Sequence, residues 1–179
     1  MNKTRRDFIK KSSVLGFSTL FPFNENILKM NMKIRTAHIG VGGMGLNDLK
    51  AISSHKNVEV AALCDVDSSL LNQAHKLYPK AKTFKDYRVL LNNLESEIDA
   101  VVISTPDHTH GPASIMAMKK GKAIYCQKPL TNNVIDAREM SNISSQKKLV
   151  TQMGIQVHSF YDYKLAKLLI QENIVGKVH

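Results

Sequence analysis

Cysteine is nearly absent: Cys64 and Cys126 are the whole supply in 179 residues. A staple is not required, because a body of about 150 residues hides roughly two thirds of its unfolded surface. The 43% hydrophobic content is that of an ordinary globular domain, one domain and at most the start of another. Long apolar runs are missing too. The run from Val14 to Phe23 is short and broken by Ser18, Thr19 and Pro22, so no transmembrane span is expected. There is no cluster of ligands at metal spacing either; His108 and His110 stand without further partners, and no metal is expected. No aromatic residues interleave with a basic stripe, so the formal charge of +10 does not read as a nucleic-acid surface. Residues 1 to 29 hold Lys3, Arg5, Arg6, Lys10, Lys11 and Lys29 against Asp7 and Glu25, and the remaining lysines are scattered. The pairs Lys119-Lys120 and Lys147-Lys148 fall where helices are predicted to end, which suits the negative pole of the helix dipole. Internal repeats and low-complexity tracts are also lacking.

What is present begins with "TRRDFIKKSSVLGFSTLF". An arginine pair before a short apolar run resembles a twin-arginine export signal, and Thr4, Arg5, Arg6, Phe8 and Lys10 fit the pattern Ser/Thr-Arg-Arg-x-Phe-x-Lys. No A-x-A-like cleavage site follows. Residues 1–30 are thus expected to be a leader for export to the periplasm. The alternative is a basic leader on a cytoplasmic protein. The twin-arginine route carries folded proteins, commonly ones already loaded with a cofactor, so a cofactor-binding body would be coherent with it.

From Lys33 onward, short apolar runs alternate with helical patterns. Strands are predicted at 34–39, 58–64, 81–84, 98–104, 122–126 and 149–153, with helices near 43–55, 67–78, 86–93, 109–120 and 133–147. The fold class is therefore α/β, a doubly wound parallel Rossmann sheet over residues 31–157. Ligands bind such sheets outside the carboxyl ends of the strands.

The first strand end reads "GVGGMG". Gly40, Gly42 and Gly45 form G-x-G-x-x-G between a strand and a helix, with Gly43 and Met44 inside the turn. The glycines allow a tight turn, an approach of backbone amides to a pyrophosphate, and close packing of helix on strand. Asp65 ends the second strand, placed to accept hydrogen bonds from a ribose diol. No Arg or Lys stands at 66 to 69 to hold a 2′-phosphate, so NAD is expected rather than NADP. At the fourth strand end, Ser104 and Thr105 offer small hydroxyls, Pro106 turns the chain away, and His110 and His108 stand near the same mouth. Asp107 or Thr109 is expected to cap the following helix, with Pro112 in its first turn. The fifth strand ends in "AIYCQKPLT", where Pro129 fixes Lys128 beside the expected nicotinamide. Such a lysine can hydrogen-bond a substrate oxygen and stabilise charge during hydride movement. In a sheet ordered 3-2-1-4-5-6 the two cysteines lie three strand spacings apart, roughly 14 Å, beyond the reach of a disulfide.

Together "GVGGMG", "CDVD", "STPDHTHGPASIMAMKKGKAIYCQKPLT" and "KKLVTQMGIQVHS" resemble the N-terminal half of the Gfo/Idh/MocA oxidoreductases over residues 33–179. The resemblance implies a Rossmann domain followed by a second α/β domain with an open antiparallel sheet. It implies NAD(P)-dependent oxidation or reduction of a hydroxyl on a sugar, polyol or related small molecule. Gly40, Gly42, Gly45, Asp65, Thr105, Pro106 and His110 align with family cofactor positions. The family's Glu-Lys-Pro motif falls on Gln127, Lys128 and Pro129, which makes Lys128 the expected catalytic residue and Gln127 a cofactor contact that departs from the usual glutamate. A branch of exported bacterial members resembles this chain in carrying Gln-Lys-Pro; in that branch "MGIQVHS" would read Met-Gly-Asn-Gln-Gly-His-Ser, and Ile155 and Val157 depart from that stretch around Gln156 and His158. Residues 158–179 are expected to open the second domain, most of which the sequence lacks. The helix "YDYKLAKLLIQEN" would then expose Leu165, Leu168 and Leu169. On that expectation the chain binds a dinucleotide without turnover of its own, and a family-like homo-oligomer would need the second domain. An NAD-dependent glycosidase of the same fold and a non-catalytic NAD-binding module are the alternatives.

Overall fold

Six apolar runs become six short parallel strands: β1 Ile34–Ile39, β2 Val58–Cys64, β3 Lys82–Phe84, β4 Ala100–Ile103, β5 Ala123–Gln127 and β6 Thr151–Gly154. Their order is β3-β2-β1-β4-β5-β6, and every adjacent pair is parallel. The structure is a computed structural model that describes residues 33–177, so the expected leader at 1–30 lies outside the described residues. The central strands are buried along most of their length because helices cover both faces, which explains their unbroken apolar character.

The connecting helices are α1 Met44–Ser53, α2 Ser68–Leu77, α3 Tyr87–Asn93, α4 Asp107–Lys119 and α5 Val134–Lys147. Three of them begin on side-chain caps. Asp67 accepts from the N–H groups of Ser69 and Leu70, Asp86 from that of Arg88, and Asn133 from that of Asp136. At α4 the expected cap is not formed: the helix starts two residues earlier than Thr109, with Pro106 at its N-cap and no side-chain hydrogen bond. Pro112 therefore falls in the second turn, not the first. The carbonyl its missing N–H would have paired belongs to His108, an exposed residue where water can replace the lost bond. At the other end, Lys147 donates to the carbonyl of Lys119 at 2.9 Å, so one basic pair closes the helix that ends at the other.

Two apolar clusters hold the layers together. Val41, Leu49, Leu63, Leu71 and Ala74 join α1 and α2 to the sheet, while Leu90, Leu91, Val101, Ile103, Met118 and Met140 join α3, α4 and α5 to it. Each fully buried Leu, Ile or Met contributes about 1.5–3 kcal/mol relative to exposure. His38 lies within this interior on β1 at 1% exposure. The Thr36 hydroxyl donates to the carbonyl of Glu59, which leaves the His38 Nε2–H to donate to Thr36 Oγ1 at 3.1 Å. His38 Nδ1 has no partner among the described residues, and burial pulls the ring down to about 4 from 6.5.

Beyond β6 a 3₁₀ turn at Gln156–Ser159 leads into α6, Tyr161–Gln171. No residue of α6 is buried; Leu165 and Leu168 are exposed as expected, together with Ile170, whereas Leu169, also expected to be exposed, is half-buried.

Candidate functional site

The carboxyl ends of β1, β2 and β4 meet at one crevice because the chain reverses direction across the sheet between β1 and β4. β1 runs directly into Gly40, whose φ of 82° lies in the left-handed region that favours glycine. Gly45 is buried under the turn, and a Cβ there would stand 2.1 Å from the Gly40 carbonyl oxygen. Only glycine lets α1 start so close to the strand. Gly43 and Met44 form the exposed lip where α1 begins, with its first backbone N–H groups directed out of the helix start.

Asp65 ends β2 and binds the glycine turn. One carboxylate oxygen accepts from the Val41 N–H at 2.9 Å and the other from the Asp67 N–H at 2.9 Å. Since Asp67 is the cap of α2, Asp65 is left half-buried beside the turn with unused lone pairs on both oxygens. Gly40, Gly42, Asp65, Ser104, Thr105 and Pro106 line a single cavity of about 600 Å³. His108 and Thr109 lie on its wall as well, and Thr105 Oγ1 is buried without a partner among the described residues. An acidic acceptor, a glycine-built cradle and an orphaned hydroxyl on one cavity fit a dinucleotide. Cys64 adjoins the same cavity, but burial, reinforced by Asp65 and Asp86, pushes its thiol up to about 12. Cys126 is likewise raised by burial, and both cysteines are free.

The remaining site residues lie toward β5. Gln127 is the last residue of the strand, one beyond the expected end, and is 5% exposed. Its Nε2 donates to Asp48 Oδ2 at 2.8 Å, and its Oε1 accepts from the Lys128 N–H and from Gln156 Nε2. A glutamate at 127 would set two acceptors against each other at that distance, which gives a physical reason for the departure from Glu-Lys-Pro. Lys128 is exposed; its ammonium makes no hydrogen bond or ion pair among the described residues, and its bond to Pro129 is cis. His110 is buried, with one ring nitrogen 2.6 Å from the Pro129 carbonyl and the other 2.7 Å from the Thr105 carbonyl. It braces the β4 loop against the turn that presents Lys128, and both of its nitrogens are occupied by protein atoms.

Two groups of residues had no signal in the sequence. Asp48 reads there as a surface position of an amphipathic helix, yet it accepts from Ser104 Oγ at 2.7 Å as well as from Gln127. Lys85, Asp86, Tyr87 and Arg88 reach the Asp65 side of the cavity from the short connection after β3 and the start of α3, which only the sheet order brings near.

Comparison with known proteins agrees with this geometry. The model of the Gfo/Idh/MocA group, described as "Oxidoreductase family, NAD-binding Rossmann fold", matches residues 34–155. A glycosyl hydrolase family 109 protein of Stenotrophomonas maltophilia is 36% identical over 132 residues, covering 69% of this chain and 29% of that protein. An inositol 2-dehydrogenase/D-chiro-inositol 3-dehydrogenase of Lactiplantibacillus plantarum is 30% identical over 148 residues, covering 78% and 40%. The chain thus spans less than half the length of these curated relatives. Among solved structures, myo-inositol 2-dehydrogenase from Lactobacillus plantarum superposes with a TM-score of 0.75 at 26% identity, covering 82% of this chain and 43% of that one. Scyllo-inositol dehydrogenase from Lactobacillus casei, solved with NAD(H) and scyllo-inositol, shares the fold at a TM-score of 0.71 and 22% identity, covering 81% and 43%. The family match spans more than half of the sequence, its glycine turn and acidic strand end are in place, and the chain belongs to the Gfo/Idh/MocA oxidoreductase family through its NAD-binding Rossmann fold.

Proposed function

We propose that this chain is the cofactor-binding half of an NAD-dependent oxidoreductase acting on a hydroxyl-bearing carbon of a cyclic polyol or sugar-like compound. The observation that carries the reading is Lys128. It is an exposed cation without a protein partner among the described residues, held at the end of a buried strand on the side of the crevice opposite Asp65. Asp65 would accept hydrogen bonds from the ribose hydroxyls, the start of α1 would hold the pyrophosphate, and Thr105 Oγ1 would find its missing partner on the dinucleotide. The nicotinamide ring supplies the hydride acceptor or donor. Lys128 Nζ donates a hydrogen bond to the substrate oxygen, orienting it and stabilising negative charge as the carbon changes oxidation state. Polyol chemistry is favoured by the inositol dehydrogenases among the relatives.

The same proposal takes residues 158–179 as the opening of a second domain that supplies the rest of the substrate site, and residues 1–30 as a twin-arginine leader for export. The apolar stripe of α6 supports the first part. NAD binding by the full chain, followed by NADH formation with myo-inositol and related polyols in the assembled enzyme, tests the reading. Failure to bind either NAD or NADH would overturn it. A second reading is a glycosidase in which NAD is reduced and reoxidised within each cycle, favoured by the 36% identity to the family 109 protein. Release of an aryl leaving group from a glycoside without net NADH distinguishes the two.

A further inference from the structure

Asp48 lies one turn inside α1, between exposed Asn47 and the exposed Lys50, yet it is 7% exposed itself. It is turned toward the sheet, where its Oδ2 accepts from Ser104 Oγ at the end of β4 and from Gln127 Nε2 at the end of β5. Gln127 in turn accepts from the Lys128 N–H and from Gln156 beyond β6. One carboxylate therefore ties the first helix to the ends of two strands, and Gln127 extends the tie to the 3₁₀ turn beyond β6. No Lys, Arg or His pairs with it among the described residues. Burying a carboxylate against neutral donors alone is costly, and an apolar residue at that helix position would pack at lower cost.

The position of this charge is informative. A dinucleotide held by Asp65 at β2 and by the start of α1 would have its other end over β4 and β5, the neighbouring strands across the crevice. Ser104 and Gln127 are the ends of those two strands, and Asp48 lies directly beneath them. The oxidised nicotinamide ring carries a positive charge that the reduced ring lacks.

We propose that Asp48 is an electrostatic positioning residue: its buried carboxylate favours the oxidised nicotinamide over the reduced one, and through Gln127 it fixes the strand end that presents Lys128. The inference rests on the NAD-binding reading above and extends it to the redox state that the crevice prefers. A pair of opposite unit charges in a partly buried setting alters affinity by on the order of tenfold.

The test is the ratio of NADH to NAD dissociation constants for the full chain, measured by NADH fluorescence and by competition with NAD. In Asp48→Asn the ratio is expected to move toward NADH by about tenfold. Both donors meet Asp48 Oδ2, and in Asp48→Asn the amide oxygen can accept both in its place; Asp48→Leu/Gln127→Leu provides a second uncharged form without these bonds. The ratio is read in whichever form keeps the wild-type circular dichroism. Asp48→Asn/Gln127→Glu keeps one carboxylate and one carboxamide on the same hydrogen bond, and is expected to retain the wild-type ratio. Equal weakening of both ligands in the uncharged forms would make Asp48 merely structural and overturn the proposal. A wild-type chain that binds neither ligand would instead overturn the NAD-binding reading beneath it.

Discussion

On the β1–β2 side of the crevice the binding surface is mostly backbone, made available by glycines and held by Asp65 through two main-chain N–H groups. On the β4–β5 side it is side chains that hold one another, Asp48 with Ser104 and Gln127, and His110 between two carbonyls, while Lys128 has no side-chain partner among the described residues. The first side is suited to what every dinucleotide has in common. The second is where one chemistry can be exchanged for another, because side chains can be replaced without moving the strands.

The sharpest break of the first side is Gly45→Ala. The added Cβ would meet the Gly40 carbonyl oxygen at 2.1 Å and its carbon at 2.8 Å, both backbone atoms that cannot swing away. Separating α1 from β1 is expected to cost about 3 kcal/mol or more, a large share of the stability of a domain of this size. Urea denaturation should show that loss, and NADH titration should show no binding.

This side was also the more legible one. A glycine pattern between a strand and a helix, followed at the right distance by an acid, is local information, and the apolar runs gave all six strands to within one or two residues. The β4–β5 side is built from contacts between distant residues. Asp48 meets Ser104 and Gln127 across separations of 56 and 79 residues, so nothing in "LNDLK" distinguishes it from a solvated aspartate. His110 was visible as a residue near the mouth, but one of its two carbonyl partners, that of Pro129, depends on how the turn after β5 folds back. The early start of α4 was hidden because Pro106 takes the N-cap position without a side-chain bond, leaving Asp107 as part of the first turn.

β1 belongs to both sides, and acid should loosen them together through His38. Burial holds the neutral ring, with the folded value lowered to about 4 from 6.5. The unfolded chain takes up the proton first, so this stability is whole above pH 6.5 and drains as the pH falls toward 4. The loss is about 3 kcal/mol across that window. Urea midpoints at a series of pH values should trace it, and His38→Leu should flatten that limb. A slope that survives the substitution would assign the acid sensitivity to other groups.

A smaller effect is expected from Asp65→Ala. Two backbone donors, Val41 and Asp67, lose their acceptor, and the ribose loses a charged one. Stability should fall by about 1–2 kcal/mol and NAD affinity by roughly tenfold to a hundredfold. Unchanged affinity would show that the first side does not hold the cofactor where its acid lies.

Lys128→Met separates the two sides most cleanly because it should do least to the fold. The ammonium is exposed and makes no hydrogen bond or ion pair among the described residues, and methionine keeps much of the same apolar stem. Stability is expected to stay within about 0.5 kcal/mol of wild type, and NAD binding, held mainly from the Asp65 side, within about twofold. Polyol-dependent hydride transfer in the assembled enzyme should nonetheless fall by about a hundredfold or more, since the substrate oxygen loses its positioned cation. A large drop in NAD affinity instead would move Lys128 from the substrate to the cofactor, and the division between a shared binding side and an exchangeable chemical side would have to be redrawn through β5.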